Sequence, residues 1–234
     1  GSSFNHYPLV VKDFNLVYDE ERSEEVYKIS GMRQSREVDF YAQQSVIDSV
    51  TDMFGKKIDS EIKNGDILKL SFKENDVYAI KKIYDSAAQP ENYPKKGFLA
   101  GVTSVFYDGT TNKGNPYKVN GTSPVGDGYS SGNDRVFMGY VYAFENGRIA
   151  VTNQNIIRNG YKVDGDIGDG FVTDYYNFSE GGNNMVMYDN YKNRKISAAK
   201  YADVKSYKEY GSNCSRCLIL TNSGNTTGMI LIND

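Results

Sequence analysis

GDILKLSFKENDVYAIKKIYD, residues 65–85, is the stretch that decides the fold. A turn opens it, an apolar run follows, and a polar loop over 73–76 leads into a second run that ends on Tyr84. Alternation with a period of two is typical of β-strands, so the stretch predicts a hairpin. Apolar residues on both faces favour strands in the middle of a sandwich or a small barrel. The second strand is expected to divide its side chains between two faces, Val77 with Ala79 and Tyr78 with Ile80.

The composition favours many strands joined by many turns. The 234 residues include 23 Gly, 20 Tyr and 11 Phe, but only 5 Pro and no Trp. Tyr combines high strand propensity with a polar tip, and Gly supplies the positive φ that tight turns need. A chain of this length has room for two modules of about 100 residues each. We therefore predict an all-β fold made of two small sandwich or barrel modules.

One segment has the residue spacing of a helix. Val50, Met53 and Phe54 recur at i, i+3 and i+4 within DSVTDMFGKKIDSEI, residues 48–62. Gly55 would end such a helix as a C-cap. We predict a single short helix or turn here, and at most one short helix in the chain.

A change of composition predicts the boundary between the modules. DSAAQPENYPKKG, residues 85–97, has two prolines and paired lysines and no periodicity. We predict a first module of residues 4–86, a linker of residues 87–97 and a second module of residues 98–234. Further hairpins are predicted over 14–32, over 134–157 with Asn146–Gly147 as a type I′ turn, and around NSGNTTG, residues 222–228.

A long segment rich in Gly, Asn, Ser and Thr covers residues 108–134. A structureless stretch of ~25 residues is unusual in a compact domain and is more often a binding or contact loop. The segment is therefore the candidate contact loop of the protein. Its candidate contact residues are Tyr117, Asn120, Tyr129 and Asp134.

The sequence DGDIGDG, residues 164–170, is the candidate metal site. Asp164, Asp166 and Asp169 offer closely spaced oxygen ligands of the kind that Ca²⁺ prefers, with glycines that let a loop wrap. The spacing is not that of an EF-hand, because position twelve of such a loop would be Tyr175. The alternative, which we favour, is a solvated acidic turn. No cofactor is predicted, and Ca²⁺ is the one ion left open.

The two cysteines, Cys214 and Cys217, form a C-x-x-C motif. Such a pair can be a redox couple, half of a zinc site or a local disulfide. A redox couple would need a helix N-terminus after a strand, and a zinc site would need two further ligands. Neither pattern surrounds this pair, so two incidental thiols at the head of a strand are the better interpretation.

Charge and histidine content argue against several classes of function. Basic residues number 27 and acidic residues 30, and no basic run has the density of a phosphate-binding surface. No apolar run approaches the ~18 residues of a membrane span. With one histidine, His6, a Ser-His-Asp or Cys-His nucleophile and a His-ligated zinc are disfavoured. A glycosidase with two carboxylates stays open, but we predict that the protein is not an enzyme.

The hairpin at 65–85 resembles the G-D-[IV]-[IL]-x-[VL]…I-x-x-I-x-x-[IV]-Y-[DN] hairpin of small β modules in Firmicutes cell-surface proteins. Those modules often follow S-layer-homology repeats, and similar ones occur in structural proteins of phages that infect the same hosts. RVFMGYVYAFENGRIAVT (135–152) and ADVKSYKEYGSNCSRCLILTNSGNTTGMILIND (202–234) are similar to their other strands. The long loop and the cysteine pair depart from that pattern.

The resemblance implies a module that builds an extracellular layer or shell, without catalytic residues. The expected function is therefore that of a structural protein in a phage virion, as a capsid or tail component, or in a bacterial surface layer. Its expected partners are copies of itself or other structural proteins, with no nucleic acid and no membrane insertion. The alternative is a carbohydrate-binding or adhesion module, in which tyrosines of the contact loop would stack on sugar rings.

Overall fold

The computed structural model contains two main β-sheets and very little helix, which confirms the predicted all-β fold. The first sheet closes into a five-stranded barrel, and the second is curved into a half-barrel. The structure describes residues 4–59, 61–91, 93, 95–103, 105–106, 118–119, 127–131, 133–152, 172–182, 184–188 and 194–234.

The first sheet has six strands in the order β3-β2-β1-β4-β5-β6. Both predicted hairpins are present, since β1 pairs with β2 and β4 with β5, each antiparallel. The strands are β1 (Leu9–Asp19), β2 (Glu24–Arg33), β3 (Arg36–Ala42), β4 (Ile67–Lys73), β5 (Asp76–Asp85) and β6 (Phe98–Leu99).

A parallel contact between β3 and β5 closes the barrel. The contact is a single pair, Tyr41 with Asp76, reinforced by a hydrogen bond from the Tyr41 amide to the Asn75 carbonyl at 2.8 Å. The resulting circular order, β1-β2-β3-β5-β4, is a Greek-key barrel of the OB-fold type. Its interior is filled by a cluster of apolar side chains, among them Leu9, Ile29 and Leu70.

The faces predicted for β5 are wrong. Val77 and Ile80 both point into the barrel, whereas Tyr78 is 56% exposed. The ladder with β4 shifts register between Ser71 and Phe72, so one residue of β5 has no partner there. Such a bulge moves every following side chain to the opposite face, and simple alternation does not anticipate it.

The second sheet follows the order β12-β11-β10-β15-β16-β13-β14, with β9 also paired to β10. A separate pair of two-residue strands, β7 and β8, precedes it. The strands are β7 (Val105–Phe106), β8 (Lys118–Val119), β9 (Asp127–Ser131), β10 (Asp134–Glu145), β11 (Arg148–Thr152), β12 (Val172–Asn177), β13 (Asn184–Tyr188), β14 (Lys195–Ala198), β15 (Arg216–Asn222) and β16 (Asn225–Asn233).

The two sheets repeat the same pairing scheme. In each, a three-strand meander pairs through its first strand with the first strand of a later hairpin, β4 in one case and β15 in the other. In each, the second strand of that hairpin also has a parallel neighbour. β5 pairs with β3 in the first sheet, and β16 pairs with β13 in the second. The hairpins around residues 65–85 and 216–233 are therefore equivalent elements of two related sheets.

The predicted type I′ turn is confirmed. Asn146 and Gly147 have φ values of 53° and 70°, and both central residues of this turn type need positive φ. The final hairpin uses the same geometry at Ser223 and Gly224, with φ values of 48° and 83°.

Of the helix or turn predicted within residues 48–62, the structure has the turn and not the helix. Val50 lies in the barrel interior while Met53 belongs to a different core, so the two do not share one helix face. The Asp52 carboxylate instead accepts hydrogen bonds from the Phe54 and Lys56 amides and holds a tight turn. The described helical segments are single turns elsewhere, α1 (Gln44–Ile47), α2 (Tyr207–Tyr210) and 3-10 turns over Tyr201–Asp203 and Gly211–Asn213.

The predicted linker lies inside the first sheet. Residues 87–97 connect β5 to β6, and β6 pairs with β5 through Tyr84–Leu99 and Asp85–Phe98. The first sheet therefore extends past the predicted boundary at residue 98. The physical reason is that Phe98 and Leu99 belong to a core that lies between the two sheets.

This shared core buries the outer face of the barrel against the second sheet. Val10, Ile67 and Tyr84 contribute from the first sheet, and Leu218 and Ile230 contribute from the second. All five side chains are fully buried. Each fully buried large side chain contributes about 1.5–3 kcal/mol relative to exposure, so the shared core binds the two sheets into one unit.

Candidate functional site

Most of the predicted site residues lie outside the described part of the chain. This holds for Tyr117 and Asn120 of the contact loop and for the three candidate metal ligands Asp164, Asp166 and Asp169. Tyr129 lies on β9, paired with Val136 of β10. Asp134, the last candidate contact residue, is the first residue of β10 and is among the described residues.

Asp134 is the centre of a polar cluster between the two sheets. Its Oδ2 lies 3.1 Å from Nζ of Lys69, which projects from β4 of the barrel. Its Oδ1 accepts a hydrogen bond of 2.6 Å from Nδ2 of Asn222, its cross-strand partner on β15. Nδ1 of His6 is 3.5 Å from the same oxygen. The last residue of the predicted contact loop, residues 108–134, thus places a carboxylate at the junction of the two sheets.

Lys69 is buried because of the pleat of β4. Leu68 and Leu70 point into the barrel, so Lys69 points outward, where the second sheet covers it. The side chain is 1% exposed, and within the described residues its Nζ has no partner with hydrogen-bond geometry, so the contact with Asp134 is a bare ion pair. Burial lowers the pKa of Lys69, and the charge of Asp134 offsets only part of that effect.

The pKa of Asp134 is determined by its partners rather than by burial. Partial burial alone would raise the pKa of its carboxyl group. The hydrogen bond from Asn222 and the nearby charge of Lys69 outweigh burial, and the net result is a lowered pKa. Asp134 is therefore ionised at neutral pH.

A second polar cluster at the junction surrounds Arg216 on β15. This guanidinium is 1% exposed and donates to the carbonyls of Lys96 and Gly97, each at 3.1 Å. It also reaches the Tyr93 hydroxyl and the Asp234 carboxylate, each at 3.4 Å. Asp234 pairs with Lys95 as well. Arg216 thus fastens the segment before β6 to the second sheet.

The cysteines are free and buried, at the start of β15 and just before it. Burial raises the pKa of each thiol from its ordinary value of 9.0 to about 12. Because the thiolate is the reactive form, neither residue is prepared for redox chemistry or for binding a metal.

The described strands of the second sheet end at β12 on one side and at β14 on the other. Among the described strands, only β11 pairs with β12. Tyr175 is 48% exposed on β12, and the guanidinium of Arg148 lies 5.6 Å from the centre of its ring. The neighbouring Tyr176 turns inward and packs on Phe137. β12 is thus a terminal strand that carries an exposed aromatic ring.

Sequence reasoning missed Lys69 and Arg216, although both leave a trace. Lys69 stands within the apolar run ILKLSF, and Arg216 stands next to CLIL. A charged residue inside a strand that is apolar on both faces is rarely buried without a partner. That signal predicts a buried partner, but it does not say which residue the partner is.

Within the described residues, no three potential metal-ligating side chains come together. No helix among them is long and apolar enough to cross a membrane. Comparison with protein-family models, with curated proteins and with solved structures finds no match for this chain.

Proposed function

We propose that the protein is a non-enzymatic structural component of an extracellular assembly, a phage virion or a bacterial surface layer. It would associate with copies of itself or with other structural proteins through its β-modules. The single observation that carries the proposal is the position of β12 at the end of the second sheet, where it pairs only with β11 among the described strands. The assignment to a virion or a surface layer rests on the resemblance of the hairpin at 65–85.

The barrel offers less edge for strand addition than an open sheet would. The single pair of Tyr41 with Asp76 closes it between β3 and β5. The sixth strand, β6, has two residues, both fully buried. We therefore place strand addition on the second sheet.

The backbone of β12 is suited to receive a further strand. Hydrogen-bonded and non-hydrogen-bonded pairs alternate along an antiparallel ladder. The Phe178 amide donates to the Gly147 carbonyl at 2.7 Å, and the register of β11 with β12 continues from there. By alternation, Asn177 directs its N–H and C=O groups away from β11. These groups can pair with a strand of another chain.

A proline at position 177 tests the proposal. Proline removes an N–H that points away from β11, so Asn177→Pro should leave the ladder between β11 and β12 intact. The matched control is Asn177→Thr, which changes the side chain but keeps the N–H and has strand propensity. Light scattering over a concentration series, followed by negative-stain imaging of large species, measures assembly.

The expected result is ordered oligomers for the native chain and for Asn177→Thr, and monomers for Asn177→Pro. Circular dichroism of Asn177→Pro must show the native fold for this comparison to count. A native chain that stays monomeric at every concentration would contradict the proposal. Equal assembly of the native chain and Asn177→Pro would instead move the interface away from β12.

A further inference from the structure

Lys69, Asp134 and Asn222 bring an amine, a carboxylate and a carboxamide together at a buried junction. The carboxylate bridges the other two groups, with Nζ of Lys69 3.1 Å from Oδ2 and Nδ2 of Asn222 2.6 Å from Oδ1. Lys69 belongs to the barrel, and the other two form a cross-strand pair of the second sheet. The three groups therefore come together only when the two sheets pack.

The amine is prepared to act as a nucleophile. A lysine reacts through its neutral form, and burial lowers the pKa of Lys69. Lys69 is 1% exposed, and its Nζ has no partner with hydrogen-bond geometry among the described residues. Desolvation thus removes the hydration that normally blocks a lysine from attacking an amide.

The carboxylate is placed to move protons between the two nitrogens. Oδ2 can take a proton from Nζ, and Oδ1 already holds Nδ2, the nitrogen that would leave. The half-exposed His6, 3.5 Å from Oδ1, lies between this carboxylate and solvent. One side chain thus serves as base toward the amine and as acid toward the leaving group.

We propose that Lys69 and Asn222 join in an intramolecular amide bond, with Asp134 as the proton-transfer group. Lys69 passes one proton to Asp134, and the neutral Nζ attacks Cγ of Asn222. A new Nζ–Cγ bond forms and the Cγ–Nδ2 bond breaks. Of the three Nζ protons, one stays on the new amide, one leaves on Nδ2 as ammonia, and one stays on Asp134 until solvent takes it. No oxidant, reductant or cofactor enters this balance.

The bond would lock the two sheets together. It would connect β4 to β15 across the shared core and close a covalent loop over most of the chain. A cross-link of long span removes conformational freedom mainly from the unfolded state, as a disulfide does. The inference is independent of the proposed function, since it concerns only the chain's own residues.

Mass spectrometry of the folded native chain tests the inference. The intact protein should be lighter than its sequence by one molecule of ammonia. Trypsin should fail to cut after Lys69, and the peptide 64–73 should be found joined to the peptide 217–234. The joined peptide is required, because a succinimide at any asparagine followed by Gly would lower the intact mass equally; these are Asn64, Asn120, Asn146 and Asn159.

Variants separate the chemistry from the fold. Lys69→Met and Asn222→Ala should each have the full sequence mass and give no joined peptide. Asp134→Asn keeps the shape of the side chain but loses the base, and it should also remain unjoined. A native chain that is folded by circular dichroism and yet shows no joined peptide after prolonged incubation would overturn the inference. A joined peptide in Asp134→Asn at the native level would overturn the role of Asp134.

Discussion

Asp66 and Lys82 form an ion pair with 2.9 Å between Oδ2 and Nζ, and both side chains are fully buried. The Asp66 carboxylate also accepts hydrogen bonds from the Ser86 and Lys63 amides, each at 2.8 Å. Lys82 donates in addition to the Glu61 carbonyl at 2.7 Å. The aspartate of the opening GD dipeptide is therefore the buried anchor that ties the turn before β4 to the end of β5.

Removing one partner of this pair should destabilise the protein strongly. Burial raises the pKa of Asp66, and Lys82 opposes that effect, so Lys82→Met leaves a buried carboxylate without its counter-charge. We expect a loss of about 3–5 kcal/mol in the free energy of unfolding, measured by denaturant titration. The double variant Asp66→Asn/Lys82→Met should lose less than the sum of the single variants.

The exposed pair of Arg22 and Asp76, 2.8 Å apart, is the matched control for that experiment. Arg22→Met should change the free energy of unfolding by less than about 1 kcal/mol, because solvent screens an exposed pair. Similar losses for Lys82→Met and Arg22→Met would contradict the view that burial makes the difference.

Gly65 should be intolerant of any side chain. Its φ is 88°, and a Cβ would lie 2.3 Å from Cδ of Arg194, which donates to the Asn64 and Ser86 carbonyls. Gly55 has a φ of 81° with open space around it and serves as the control. Gly55→Ala should cost about 1–2 kcal/mol from backbone strain alone. Gly65→Ala should cost at least about 1 kcal/mol more, from displaced hydrogen bonds, by thermal or chemical unfolding.

Arg216 should not be replaceable by lysine. A lysine keeps the charge but loses the planar fork that reaches the carbonyls of Lys96 and Gly97 together. Unsatisfied buried carbonyls cost about 1–3 kcal/mol each, so Arg216→Lys should lower the free energy of unfolding by a few kcal/mol. The exposed Arg148→Lys is the control, and a loss no larger than for that variant would contradict the role given to Arg216.

The two cysteines should be protected from alkylation in the native state. Because burial raises both thiol pKa values from 9.0 to about 12, the thiolate fraction stays small as the pH rises past 9.0. Iodoacetamide should therefore label the native chain slowly throughout the neutral and mildly alkaline range, and label the unfolded chain at the rate of a free thiol. Mass spectrometry of timed samples measures both rates. Fast labelling of native Cys217 at neutral pH would show that β15 is not buried as described.

The hairpins were predictable because their determinants are local. The Asn146–Gly147 turn and the flanking runs at 134–157 specify their own pairing, since turn type and a period of two act over a few residues. The bulge opposite Ser71 was not predictable, because it depends on how β4 and β5 fit the curvature of the closed barrel. A helix around Met53 does not form for a similar reason, because Val50 and Met53 pack in two different cores.

By itself, the sequence determined an all-β chain, its main hairpins and their turn chemistry, because each depends on neighbours along the chain. Only the tertiary structure decided that the barrel closes through Tyr41 and Asp76, that β6 belongs to the first sheet, and that the sheets share a core. It also decided the place of Asp134, whose partner Lys69 lies in the other module. Contacts between residues distant in sequence arise from packing, and no local pattern records which buried charge will meet which.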